Sequence, residues 1–210
     1  MIRVFIVDDH IIFREGLKKV IAVTSDIVVA GEAGNGKDAL RDLLENHYDM
    51  VILDLALPGM GGLEILRVLK EKNPALPVLI LSIYPEEQYA IRVLKEGASG
   101  YLTKESVPSD LIRAIRKAAS GGRYISDALG ERLAGDIAGS SGHRPQHEYL
   151  SSREYQVFRM MAAGKTVKEI AHELSLARTT VSSYRSRILE KLSLKTNSDL
   201  IRYAVENRLI

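Results

Sequence analysis

The stretch VFIVDDH (Val4–His10) poses the question that decides the fold. Four apolar residues, patterned as a buried strand, run into two adjacent carboxylates, Asp8 and Asp9. Neighbouring carboxylates repel each other and resist leaving water, so a strand ending in such a pair calls for a bound cation. The pattern returns at MVILD (Met50–Asp54), where another apolar run ends in an acid. VLILS (Val78–Ser82) ends in a hydroxyl, and GYLTK (Gly100–Lys104) leads to an ammonium.

Working outward, short apolar runs lie at Arg3–Val7, Ile27–Glu32, Met50–Leu53, Val78–Leu81 and Gly100–Thr103. Helically spaced segments separate them: Ile11–Ala22, with Ile12, Leu17, Val20 and Ile21 expected toward the core, then Lys37–Asn46, Leu63–Lys72, Glu86–Glu96 and Ser109–Ser120. Strand–helix alternation repeated five times predicts an α/β fold, a doubly wound five-stranded parallel sheet with helices on both faces. All strand ends of a parallel sheet open on one edge. Ligands of open α/β sheets bind there, near the switch in strand order.

Taken singly, an Asp after a strand is a cap or turn residue, and Ser82 or Lys104 an ordinary solvated one. Converging from four strand ends, they suit one task. Asp8, Asp9 and Asp54 offer hard oxygen ligands for Mg²⁺. The ion, Lys104 and Ser82 together can hold phosphoryl oxygens, leaving Asp54 as the nucleophile of an aspartyl-phosphate.

Beyond residue 120 the rhythm breaks. Gly121–Gly122 should end the fifth helix, Asp127–Ile137 could form a short linker helix, and GSSGHRPQ (Gly139–Gln146) reads as a joint. The expected division is residues 1–120, a linker over 121–149, and an all-helical unit over 150–210 with helices at Ser152–Ala163, Val167–Leu174, Thr179–Leu192 and Ser198–Asn207. Within it EIAHELSLARTTVSSYRSRILEKL (Glu169–Leu192) reads as helix, turn, helix. Thr179 or Thr180 could cap the second helix. Val181, Ile188 and Leu192 form its apolar stripe. Ser182, Ser183, Ser186 and Arg187 lie opposite, flanked by Arg178, Arg185 and Lys191: a small polar face ringed by cations, as a major-groove reader requires.

Charge follows the same division. Residues 1–147 carry 18 Lys+Arg and 20 Asp+Glu, whereas residues 148–210 carry 11 and 7, so the second module is the one suited to a polyanion. The chain has no cysteine, which excludes disulfides and thiolate metal sites. No apolar run reaches the length of a membrane span. With no signal-like segment ahead of the first strand, a cytoplasmic protein that does not contact membrane is expected.

Two resemblances sharpen this reading. Through VDDH (Val7–His10), VILDLALPGMGGLE (Val51–Glu64), LILS (Leu79–Ser82) and GASGYLTK (Gly97–Lys104), residues 1–120 resemble the receiver domain of two-component response regulators, which is flavodoxin-like. Through LSSREYQVFRMMAAGKTVKEIAHELSLARTTVSSYRSRILEKL (Leu150–Leu192), residues 150–210 resemble the LuxR-type helix-turn-helix domain, as in the NarL/FixJ class. The first resemblance implies that Asp8 and Asp9 bind Mg²⁺, with the main-chain carbonyl of Ala56 as a further ligand. It also implies that Asp54 takes phosphate from a sensor histidine kinase, that Ser82 follows the phosphoryl group inward, and that Tyr101 and Lys104 are the switch aromatic and the phosphate-contacting lysine. The second implies binding to double-stranded DNA, with a final helix that often dimerises DNA-binding domains. The chain departs from many relatives at Ser182, where they carry Lys after the TV of the recognition helix.

The combined expectation is a phosphorylation-activated transcription regulator, dimeric on a pseudo-palindromic site, and not an enzyme beyond slow loss of its own phosphate. One rival is a phosphatase using the same aspartyl chemistry. It usually needs an acid/base carboxylate two residues after the nucleophile, where this chain has Ala56. Another rival is an adaptor that takes phosphate and binds a protein instead of DNA. Nucleotide hydrolysis is disfavoured, because no G-x-x-x-x-G-K-[ST] loop is present.

Overall fold

A computed structural model describes residues 1–106, 108–131, 145–207 and 209–210. It divides into two compact units, Met1–Leu133 and Ala134–Ile210.

The first unit alternates strands and helices in the order β1 (Ile2–Val7), α1 (Ile11–Ala22), β2 (Ile27–Ala33), α2 (Gly36–Glu45), β3 (Met50–Leu53), α3 (Gly62–Lys72), β4 (Val78–Ser82), α4 (Glu86–Lys95), β5 (Gly100–Thr103) and α5 (Pro108–Ala119). All strand pairs are parallel, in the spatial order β2-β1-β3-β4-β5. The order reverses between β1 and β3, so the crevice of the doubly wound sheet opens beside the two strands that end in Asp8 and Asp54.

Side chains alternate across each strand. Val4, Ile6, Met50, Ile52, Leu79, Leu81 and Leu102 point to one face, where Leu17 and Ile21 of α1 and Leu111, Ala114, Ile115 and Ala118 of α5 cover them. The alternate residues Phe5, Val7, Val51, Leu53, Val78 and Ile80 are equally buried on the opposite face. Burial on both faces explains why these strands read as unbroken apolar runs. Ile12 is a correction: the spacing points it to the core, yet it is 89% exposed, because the helix turns Phe13, Leu17 and Ile21 to the sheet instead.

The segment after α5 stays with this unit. Gly121, at φ 81°, ends the helix. Tyr124 then bridges to Gly100 and donates its N–H to Ser99 O at 2.8 Å. Ser126 Oγ donates to Glu86 Oε2 at 2.6 Å and accepts from Leu129 N–H, and Leu129 is buried. Residues 127–131 are helical; the rest of the expected linker helix, and most of GSSGHRPQ, lies outside the described residues.

The second unit holds a 3₁₀ turn (Gln146–Tyr149), α6 (Ser152–Ala162), α7 (Val167–Glu173), α8 (Arg178–Lys191) and α9 (Asn197–Glu206). Its core is built from Tyr155, Phe158, Ile170, Val181, Ile188, Leu192, Leu200 and Ala204. Capping boxes start three of the helices: Ser151 with Glu154, Thr166 with Glu169, and Thr196 with Asp199. Each pairing satisfies two backbone donors that the helix leaves open. Among the described residues no helix is long and apolar enough to cross a membrane.

Candidate functional site: an acidic pocket and a recognition helix

Hydrogen bonds at the sheet edge bring the first site together. Asp54 N–H donates to Val7 O at 2.9 Å, which sets the end of β3 beside the end of β1. Asp8 and Asp54 are 2% and 1% exposed, so both are true buried acids. Lys104 joins them: its Nζ lies 2.6 Å from Asp8 Oδ2 and donates to Asp54 Oδ2 at 2.7 Å. The lysine is fixed in turn, with its N–H on Ser82 O at 2.8 Å and its ammonium 4.5 Å from the centre of the Phe13 ring.

Electrostatics follows from this burial. Burial, reinforced by the Asp8 charge, pushes the Asp54 carboxyl up, and the Lys104 ammonium and the Ala56 N–H offset only part of that. Burial also works against the Lys104 charge, but Asp54 and Asp8 outweigh it and hold the ammonium above its usual range. One Lys⁺ against three carboxylates leaves the pocket anionic. Asp9 Oδ1 is shielded from water and, among the described residues, has no hydrogen-bond partner, although His10 Nδ1 lies 2.9 Å from it. An orphaned buried carboxylate oxygen beside two further acids is what a hard divalent cation satisfies, so the donor set fits Mg²⁺.

Two glycines keep the pocket's shape. Gly59, at φ 72°, turns the chain after Pro58. A Cβ on Gly62 would meet the Asp54 carbonyl oxygen at 2.0 Å, so α3 can begin this close to the acid only with glycine there. Ala56 donates its N–H to Asp54 Oδ1 at 3.0 Å.

Ser82 and Tyr101 sit below this layer. Ser82 is fully buried, and its Oγ accepts from Tyr84 N–H at 3.4 Å. Tyr101 is also buried, and its hydroxyl donates to the Tyr84 carbonyl at 2.7 Å. Burial drives the Tyr101 phenol well above its usual range. Sequence reasoning did not single out Phe13, or Arg14, which donates from Nη1 to Asp8 O at 2.6 Å. Both lie on α1 immediately after the acidic pair, and that proximity was the available signal.

The second site is the helix pair α7–α8. Ser175, at φ 51°, makes the left-handed turn between them, and Leu176 N–H closes it on Ala171 O at 2.8 Å. Ala177 occupies the N-cap of α8 with no side-chain cap bond. The capping expected of Thr179 or Thr180 is therefore corrected: α8 starts at Arg178, and both threonines lie within its first turn. Val181, Ile188 and Leu192 are buried, and Ser182, Ser183, Ser186 and Arg187 lie on the outer side of the helix, all four exposed. Ser183 Oγ and Ser186 Oγ donate back to the carbonyls of Thr179 and Ser182. Arg185 donates to Asn197 Oδ1 at 2.8 Å. Lys191 is itself exposed, but its Nζ donates to the buried Glu154 at 2.7 Å and ties α8 to α6.

Residues 4–116 match the response regulator receiver domain, and residues 148–204 match the bacterial regulatory proteins of the luxR family. The chain is a response regulator of the NarL/FixJ class. It is similar along its whole length to the response regulator UvrY of Escherichia coli (34% identical over 209 residues, 100% of this chain and 96% of that protein). It is likewise similar to the response regulator GacA of Pseudomonas aeruginosa (35% over 210 residues, 100% and 98%). Among solved structures it resembles RcsB of Salmonella enterica serovar Typhimurium bound to promoter rprA in the presence of the phosphomimetic BeF3⁻ (26% identical, TM-score 0.67, covering 96% of this chain and 97% of that one). This response regulator thus combines a receiver with a LuxR-type DNA-binding domain.

Proposed function

We propose that this response regulator is a transcription regulator switched by phosphorylation of Asp54, with residues 1–120 as receiver, 121–149 as linker and 150–210 as reader of DNA. The observation that carries the reading is the Lys104 ammonium held between Asp54 and Asp8 in a buried anionic pocket. A sensor histidine kinase supplies the phosphoryl group. An Asp54 carboxylate oxygen attacks the phosphorus, the P–N bond to the kinase imidazole breaks as the new P–O bond forms, and the imidazole leaves with the electron pair. Asp8, Asp9, Asp54 and the Ala56 carbonyl would hold Mg²⁺, which would supply charge neutralisation for the transferring oxygens. Lys104 meets one of these oxygens and Ser82 another, so on phosphorylation Lys104 exchanges a carboxylate partner for a phosphoryl one. Ser82 moving toward the phosphoryl group pulls on Tyr84 N–H, and Tyr84 O holds Tyr101. The pair is the coupling from chemistry to surface.

The output is binding to double-stranded DNA, as in the promoter-bound RcsB structure. Ser182, Ser183, Ser186 and Arg187, with Thr179 and Thr180 at the start of α8, face the major groove, and Arg178 and Arg185 take phosphates. Lys191, paired with Glu154, contributes more to holding α8 than to touching DNA. A helix-turn-helix reads a short half-site, so a phosphorylation-induced homodimer on a pseudo-palindromic site supplies the specificity. The setting is the cytoplasm. No activity on a separate substrate is proposed: the position two residues after Asp54 is Ala56, which has no proton to move. Selection of bound sequences from a random DNA pool, with and without phosphodonor, tests the reading. A sequence preference strengthened by phosphodonor is expected, and no enrichment in either arm contradicts it.

A further inference from the structure

His10 follows the acidic pair and caps nothing: α1 begins after it without a side-chain cap bond. Its main-chain N–H donates to Asp8 Oδ1 at 2.8 Å, which fixes the residue against the pocket. Its ring nitrogen Nδ1 then lies 2.9 Å from Asp9 Oδ1 and is hydrogen-bonded to Asp8 Oδ1 at 3.3 Å. The ring nitrogen is directed at Asp8 and not at Asp9, whose Oδ1 is a buried atom without a hydrogen-bond partner among the described residues. One ligand atom from each of Asp8, Asp9, His10 and Asp54 falls within 4.8 Å of the others.

From this geometry we infer that the His10 imidazole is a nitrogen donor to the divalent ion of the receiver pocket, giving the site a preference for ions such as Ni²⁺ and Mn²⁺ over Mg²⁺. Two donors about 2.1 Å from one octahedral ion and at right angles lie about 3.0 Å apart, close to the separation of Asp9 Oδ1 and His10 Nδ1. An ion between these atoms uses the lone pair that Asp9 Oδ1 leaves idle and replaces the Nδ1 contact to Asp8 Oδ1. The identity of the donor sets the preference. Mg²⁺ is served by oxygen and keeps its waters, whereas first-row transition ions gain from imidazole in the order of their intrinsic affinity. Most of the ring is open to solvent, with the side chain 62% exposed, so it can swing onto an ion without disturbing the core. The inference rests on the proposed reading of the pocket as a divalent-cation site.

The test is calorimetric titration of the full chain with Ni²⁺ and with Mg²⁺ at one fixed pH, for the native protein, His10→Gln and Asp54→Asn. The expected result is a native Ni²⁺ site that Asp54→Asn abolishes and His10→Gln weakens at least about tenfold, with Mg²⁺ affinity changed less than about twofold by His10→Gln. Mn²⁺ bound to protein carrying ¹⁵N-histidine should show nitrogen coupling in its electron spin echo, and His10→Gln should remove it. Equal Ni²⁺ affinity in native and His10→Gln protein, or absence of that coupling, overturns the nitrogen ligand while leaving the cation site standing. Failure of the native protein to bind either ion overturns both.

Discussion

The Tyr101 hydroxyl donates to the main-chain carbonyl of Tyr84 at 2.7 Å, in the same place where Tyr84 N–H reaches the hydroxyl of Ser82. One residue of the β4–α4 connection is therefore gripped from both sides. The Tyr84 ring stacks on Tyr89 of α4, with centroids 4.7 Å apart, so a shift at Tyr84 is passed directly to that helix.

Tyr101→Phe should keep the ring and remove only this hydrogen bond. The expected loss of stability is small, about 0.5–1.5 kcal/mol by urea unfolding. Labelling of Asp54 by a small phosphodonor should proceed as in the native chain, while the gain in DNA affinity on phosphorylation shrinks. An undiminished gain, measured by fluorescence anisotropy, removes Tyr101 from the coupling route.

Gly62→Ala should damage the pocket from a distance. The added carbon meets the Asp54 carbonyl oxygen at 2.0 Å, so backbone must move, at a cost of about 1–3 kcal/mol. Thermal unfolding should fall, and phosphorylation should slow at matched folded fraction. Native-like behaviour in both assays would show that α3 does not constrain Asp54.

Glu154 should make the second unit sensitive to acid. Its burial disfavours the charge, but the hydrogen bonds from Lys191 and Ser151 win and hold its carboxyl below the usual carboxylate range. Because the folded-state value is depressed, its stabilising contribution is fully present above the unfolded value and is lost as pH falls through the folded one. Glu154→Gln should therefore lower hydrogen-exchange protection of α6 and α8 at neutral pH by about 1.5–3 kcal/mol, and by less below pH ~4. An equal loss at both pH values would assign the effect to packing.

Much of this architecture is legible in the sequence, and the places where it is not have physical causes. Each strand, buried on both faces, appears as an apolar run, and the observed elements fall within about a residue of the expected ones. Ile12 misleads because periodicity gives the spacing of a helical stripe but not which side of a broad apolar face meets the sheet. The meeting of Asp8, Asp54 and Lys104 could be anticipated because parallel strands share an edge. The docking of Tyr124 and Leu129 on the first unit could not be read, since Gly, Ser and Arg around them carry no periodicity. Nor could the pairing of Lys191 with Glu154, which joins residues 37 positions apart on two different helices.

On DNA, Arg187→Ala and Arg178→Ala should differ in kind. If Arg187 touches a base, its removal should cost about 1–3 kcal/mol and relax the preference at one position. If Arg178 touches a phosphate, its removal should weaken all sequences alike and flatten the dependence of log affinity on log salt by about one unit. Binding titrations on the selected sequence and on scrambled DNA, at several salt concentrations, separate the two. An intact preference in Arg187→Ala would mean that the outer face of α8 is not the reader.

The proposed function depends on phosphorylation of Asp54. The direct measurement is incubation of the full chain with a small phosphodonor and Mg²⁺, followed by intact mass and peptide mapping of native protein, Asp54→Asn and Lys104→Ala. Native protein should carry one phosphoryl group, mapped to Asp54, Asp54→Asn none, and Lys104→Ala should be labelled without a gain in DNA affinity. Full labelling of Asp54→Asn, or a label mapped elsewhere in the native chain, would contradict it.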